Sequence, residues 1–164
     1  MSILTVVSAV AAAGSAVAGG LYANFSLRVM PRLAALPDAQ GMAAMQQFNR
    51  NAVQAPFMVV FFGSALASGY TLWQVVARGE RTVPELLLGT GSCLYLAGFV
   101  MTIVHHVPLN DRLAALAPTS PAGAELWRTF VAEWTPANSV RAALSLGGAA
   151  ALAIGAVLEV ARRA

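Results

Sequence analysis

The run "LLLGTGSCLYLAGFVMTIVHHVPLNDRLAAL", residues 86–116, decides the fold. It carries no charge from Leu86 to Val104, then leaves the apolar stretch through the chain's only two histidines, His105 and His106, followed by Pro108, Asn110, Asp111 and Arg112. A bilayer core about 30 Å thick is crossed by about 20 apolar residues rising 1.5 Å each. The run is therefore a membrane helix that delivers polar chemistry to one face of the bilayer. Pro108 lacks an amide hydrogen and disfavours helical geometry at Val107, so the spacing predicts that this helix ends near His106.

Three other uncharged runs accompany it: Ile3 to Leu27, Ala52 to Ala77 and Ala142 to Leu158. The last is too short to span alone, so its helix is expected to begin within "WTPANSVRAAL", which puts Arg141 about one turn inside. Such an arginine needs a partner, and Asp111 or Glu133 is expected to supply it, with a hydrogen bond added by Asn110. The composition agrees with lipid as the solvent: 58% of the residues are hydrophobic and only 10% charged, against roughly 25% charged in soluble domains. The predicted fold is all-α, an integral membrane four-helix bundle with two partly helical loops on one face. Residues 1–164 form one domain with spans at about 3–27, 52–77, 84–106 and 136–160.

Small residues mark where the helices should touch. Ser8, Ala12, Ser15, Gly19 and Ala23 line the first span, and Ser145, Gly147, Gly148 and Gly155 the fourth, and close backbone approach is the main attraction between helices in lipid. The first run lacks a basic leader and exceeds the 7 to 15 apolar residues of a signal peptide, so it reads as a retained helix. Four spans put both termini on one side with the short loop "RGERTVPE"; the long segments "RVMPRLAALPDAQGMAAMQQFNRN" and "VPLNDRLAALAPTSPAGAELWRTFVAEWTP" share the other. In the first, Pro31 and Pro37 predict breaks and Asp38 an N-cap. In the second, a helix is expected from about Pro121 to Trp134. The loop arginines Arg78 and Arg81 favour cytoplasmic termini in a bacterial inner (plasma) membrane. All ten basic residues are arginine, yet net charge is only +3 and no basic stripe is present, which argues against a nucleic-acid partner. Cys93, alone in mid-span, reads as a small hydrophobe.

Polar side chains gather on the long-loop side: Tyr22, Asn24 and Ser26 from the first span, Asn49, Arg50, Asn51 and Gln54 from the second, Thr102, His105 and His106 from the third, Asn138 and Arg141 from the fourth. Read alone, they either ring a pocket at the mouth of the bundle or cap helices among lipid headgroups. Adjacent histidines point roughly 100° apart on a helix and no ligand spacing accompanies them, so no metal site is assigned. His106 shares a stripe with Tyr95, Phe99 and Thr102 and is expected to face inward, where an imidazole can serve as a general base. Phosphate loops, nucleophile elbows and redox dithiols are missing from the sequence.

The segment "HHVPLNDRLAAL", residues 105–116, resembles the "n-V-P-L-N-x-x-L" signature of a family of small four-span membrane proteins that includes the anthrone oxygenases. The likeness continues through "LWRTFVAEWTPANSVRAALSLGGAAAL", with Trp134, Asn138 and Arg141 at the family's spacing, and upstream through "FNRNAVQAPFMVVFFG", with Asn51 and Pro56. His106 stands where that pattern often has Asn, and the first span matches only in general character. The resemblance implies oxidation of a flat, apolar phenolic ketone by O2 without metal or flavin. For that reaction His106 fits the base, Arg141 with Asn110 and Asn138 the partners of an enolate oxygen, Trp134 a stacking face, and Asn51 the substrate's surroundings. The competing class is non-catalytic: a membrane protein binding a lipid or partner subunits, itself included as a homo-oligomer, with the polar cluster only locking loops onto the bundle. Transport has little support, because no acidic residue lies in mid-membrane.

Overall fold

The computed structural model describes residues 2–163. Five helices form, and no strand occurs among the described residues. Four are long and apolar enough to cross a membrane: α1 (Ile3–Ala34), α3 (Ala55–Arg78), α4 (Val83–Ala114) and α5 (Pro121–Arg163); a shorter α2 (Asp38–Ala52) lies between the first two. The protein is an all-α integral membrane helical bundle.

Local chemistry starts and stops these helices. The Ser2 hydroxyl accepts the Thr5 amide at 3.2 Å and caps α1. Gly79, at φ 65°, closes α3 in the left-handed conformation that glycine adopts without strain, and its amide bonds the Val75 carbonyl. Asp38 opens α2 as its first helical residue, with Pro37 in the capping position.

Two expectations built on proline are corrected. The third span does not end at His106, nor does the first break at Pro31; in each, a five-residue π turn precedes the proline and the helix runs on. Phe25–Val29 is the turn in α1, where the Met30 amide bonds the Phe25 carbonyl; Thr102–His106 is the turn in α4, where the Val107 amide bonds the Thr102 carbonyl. Within a regular α-helix a proline removes one hydrogen bond and clashes with the carbonyl four residues back. A π turn directly before it changes the pairing locally and lets the helix continue. The fourth helix is likewise one piece through Pro136, so the helix expected over 121–134 and the fourth span are continuous.

Of the long helices, α5 packs along α1 and α4, and α3 completes the square against the same two. A Cβ built on Gly91 would lie 2.8 Å from the Gly148 carbonyl oxygen, and one on Gly148 would lie 2.9 Å from that of Gly91, so α4 and α5 touch backbone to backbone. Gly19 meets Leu146 and Gly14 meets Ser64 as closely. Cys93 is free and lies on the outer, lipid-facing surface.

The helices outrun the bilayer unequally. The 43 residues of α5 span roughly 65 Å, twice a hydrocarbon core. On the long-loop side α1, α4 and α5 extend past the level where α3 begins, and α2 lies across their ends. A second core forms there around Met30, Met42, Met45, Leu113, Trp127 and Trp134. Gly41 lets α2 sit against the Leu33 carbonyl and the Trp127 ring, where a Cβ would meet atoms at 2.5 and 2.9 Å. Gln46 then donates to the Leu113 and Leu116 carbonyls at 2.8 and 3.0 Å, satisfying acceptors left open at the end of α4.

Gly91→Ala should cost about 1 to 3 kcal/mol through overpacking and lower the thermal melting point in detergent. Gly63→Ala, whose Cβ meets nothing within 4 Å, should not lower it, since alanine favours the helix over glycine.

Candidate functional site

Because α3 begins lower than its neighbours' ends, its corner of the bundle is vacant under α2. The vacancy is a cavity of about 330 Å³, walled by all five helices. Tyr22 and Phe25 come from α1, Phe48 and Asn49 from α2, Phe57 from α3, Thr102, His106 and Asn110 from α4, and Trp134 and Arg141 from α5. No lining residue is acidic.

Arg141 is the floor. Only 6% exposed, it donates to the Thr102 hydroxyl at 3.0 Å and to the Asn138 side-chain oxygen, and its guanidinium carbon lies 3.8 Å from the centre of the Tyr22 ring. The expected carboxylate partners are not there. Asp111 and Glu133 are exposed, and the buried carboxylates Glu85 and Glu159 lie at the opposite, terminal end of the bundle. Eighteen residues of α5 separate Arg141 from Glu159, roughly 27 Å of helix. The cation is held by neutral dipoles and by the π face of Tyr22. Its Nε–H has no partner.

Asn138 does not line the cavity, contrary to expectation. Completely buried, it donates to the Tyr22 carbonyl at 2.7 Å and to the Ser26 hydroxyl at 2.8 Å, while its oxygen receives Arg141. It is a latch between α1 and α5 that aims the guanidinium. Thr102 does the same from α4, passing its own proton to the Gly98 carbonyl at 2.9 Å.

His106 is 1% exposed. Its Nδ1 lies 3.3 Å from the Met101 carbonyl oxygen, which can only accept, so the ring proton sits on Nδ1 and the lone pair on Nε2. Nε2 is without a protein partner. Trp134 holds the imidazole edge-on, with ring centres 5.5 Å apart, and donates its indole N–H to the Asn110 side-chain oxygen at 3.1 Å. That bond turns Asn110 inward. Asn51 stands at the cavity rim, but it is exposed and its oxygen accepts Gln47 within the same helix at 2.9 Å. His105 is half-buried beside His106. Among the described residues no three His, Cys, Asp or Glu side chains gather as a metal site.

The structure thus brings His106, Asn110, Trp134 and Arg141 to one cavity with Asn51 at its rim, and sets Asn138 behind them. Sequence reasoning had noted Tyr22, Asn49 and Thr102 among the polar residues without singling them out. Their role is set by contacts between helices, for which a single sequence carries no signal.

Fold and cavity together define a small integral membrane protein with an aromatic, cationic pocket at one end of its bundle. Residues 44–151, from the middle of α2 to the core of α5, match the family model for anthrone oxygenase, and the chain belongs to that family. No curated protein and no solved structure matches it.

Asn138→Leu should unfold at a distinctly lower temperature, since each buried group left unpaired costs about 1 to 3 kcal/mol. Asn51→Ala, exposed and bonded only within α2, should melt within about 0.5 kcal/mol of the parent. Thermal unfolding of both in one detergent checks the contrast.

Proposed function

We propose that the protein is a membrane-embedded oxygenase that oxidises an anthrone-type phenolic ketone with O2. The observation that carries this reading is the pairing, in one cavity, of an unpartnered imidazole lone pair with a buried cation that has no protein counter-charge. A cation so placed favours a ligand that becomes anionic. An imidazole in the wall of the same cavity, with an unpartnered ring nitrogen, can make it so.

His106 Nε2 takes a proton from the methylene carbon of the ketone. The charge moves to the oxygen, where Arg141 and the Asn110 amide hold it. The enolate passes one electron to O2, and the radical and superoxide combine into a peroxide at the same carbon. His106 returns its proton to the outer peroxide oxygen, the second C–H proton is removed, and the O–O bond breaks. The carbon leaves as a carbonyl, and its two hydrogens depart with the other oxygen atom as water. Trp134, Phe25 and Phe57 provide apolar walls for flat rings. The substrate arrives from the bilayer, because rim residues Val53 and Val107 are 70% and 44% exposed on the outer face.

Oxygen uptake by purified protein with a panel of anthrones tests the reaction. Uptake above spontaneous oxidation should fall about 10²- to 10⁴-fold in His106→Ala. Uptake no faster than without protein, or equal in His106→Ala, overturns the reading. The same proposal sets the chain in a bacterial plasma membrane with cytoplasmic termini, supported by the short second loop with Arg78 and Arg81. A C-terminal reporter active only outside the cytoplasm would reverse the orientation.

A further inference from the structure

Three polar atoms around the cavity have no partner in the protein: His106 Nε2, Arg141 Nε and Asn49 Nδ2. The proposed reaction uses the first two. It leaves Asn49 without a task, and a buried amide without a hydrogen bond is too costly to be idle.

Asn49 lies on α2, one turn beyond Met45, which is buried in the core shared with Trp134. Gln46, three residues before Asn49, ties that part of α2 to the end of α4 through two carbonyls, so Asn49 is held in the cavity wall by a fixed element. Arg141 is seven residues further along α5 than Trp134, roughly 10 Å deeper. The cavity is thus lined by Arg141 from α5 and by Asn49 from α2, with Phe25, Phe57 and Trp134 as its aromatic walls. Asn51, the asparagine the sequence favours, cannot take the place of Asn49, because its amide is exposed and engaged with Gln47.

We propose that Asn49 is a specificity-determining residue: it hydrogen-bonds an oxygen substituent on an outer ring of the substrate whose ketone oxygen is held by Arg141. An amide both donates and accepts, so it takes a ring hydroxyl or a carbonyl and rejects a bare edge. The ligand class is a fused aromatic ketone that carries a second oxygen on an outer ring. This inference rests on the proposed oxygenase reading for which end of the substrate reacts.

The test is anaerobic, so that binding is read without turnover. Titration calorimetry on the full-length protein in detergent compares anthrone with an anthrone bearing a hydroxyl on an outer ring. The parent protein should prefer the hydroxylated probe about tenfold, and Asn49→Leu should lose that preference while binding plain anthrone within about twofold. In air the same variant should raise KM for the hydroxylated substrate and leave kcat near the parent value. Gln46→Ala, which loosens α2 without removing the amide, should weaken both probes alike. Asn49→Ser serves as a smaller change should the leucine variant not fold. A preference that survives in a folded Asn49 variant overturns the inference, as does equal weakening of both probes. The two readings fail separately. His106-dependent oxygen uptake with an intact preference in Asn49→Leu sinks only the role of Asn49. Asn49-dependent binding without oxygen uptake sinks only the oxygenase.

Discussion

The structure depends on keeping one guanidinium inside a membrane bundle without a carboxylate. Arg141 is satisfied by Thr102 from α4, by Asn138 from its own helix and by the ring of Tyr22 from α1. Through Asn138 the chain of bonds continues to Ser26 and the Tyr22 carbonyl. Three helices are thereby tied at one level by neutral groups. Had the partner been Asp or Glu, the pair would be self-neutralised and the cavity would offer a ligand little. Neutral partners hold the cation in place and leave its charge uncompensated, which preorganises the site for an anion.

The bonds of Arg141 reach both π turns, and the correspondence has a mechanical basis. Ser26 lies in the first turn, Thr102 opens the second, and each turn precedes a proline. The prolines do not end the membrane helices, which rise beyond the level at which α3 starts. That extension creates the upper core, and the upper core supports α2 across the opening. A single device, a π turn ahead of a proline, thus sets the height of the walls and carries polar residues of the site.

Charge is segregated along the bundle. At the terminal end Glu159, with no exposed side-chain area, is surrounded by Arg78, Arg162 and Arg163 at 3.4, 3.2 and 2.6 Å. That cluster is closed upon itself and serves to fasten α3 and α5. At the other end the buried cation stands alone beside a neutral imidazole lone pair. The same residue types make a clamp at one end and an open site at the other, and the difference lies in which of them find partners.

Much of this was legible in the sequence because lipid imposes simple rules. Four uncharged runs marked the membrane helices, most small residues at helical spacing marked contacts, and the one-sided gathering of polar residues, His106 and Arg141 among them, marked the end of the bundle that holds the cavity. Periodicity also turned His106 inward. Tertiary structure decided the rest. Proline statistics argue for helix ends at Pro31 and Pro108, and only the packing of the extended helices against Trp127, Phe130 and Trp134 favours π turns over breaks. The partner of Arg141 could not be read from opposite charge, because Asp111 and Glu133 lie on outward faces while neutral Asn138 and Thr102 lie within reach. Asn49 and Asn51 are two residues apart on one helix and indistinguishable as letters. The roll of α2 about its axis, set by Gly41 against Trp127 and by Gln46 on the end of α4, leaves Asn49 half-buried in the cavity wall and Asn51 exposed at the rim, because residues two apart on a helix point to different faces.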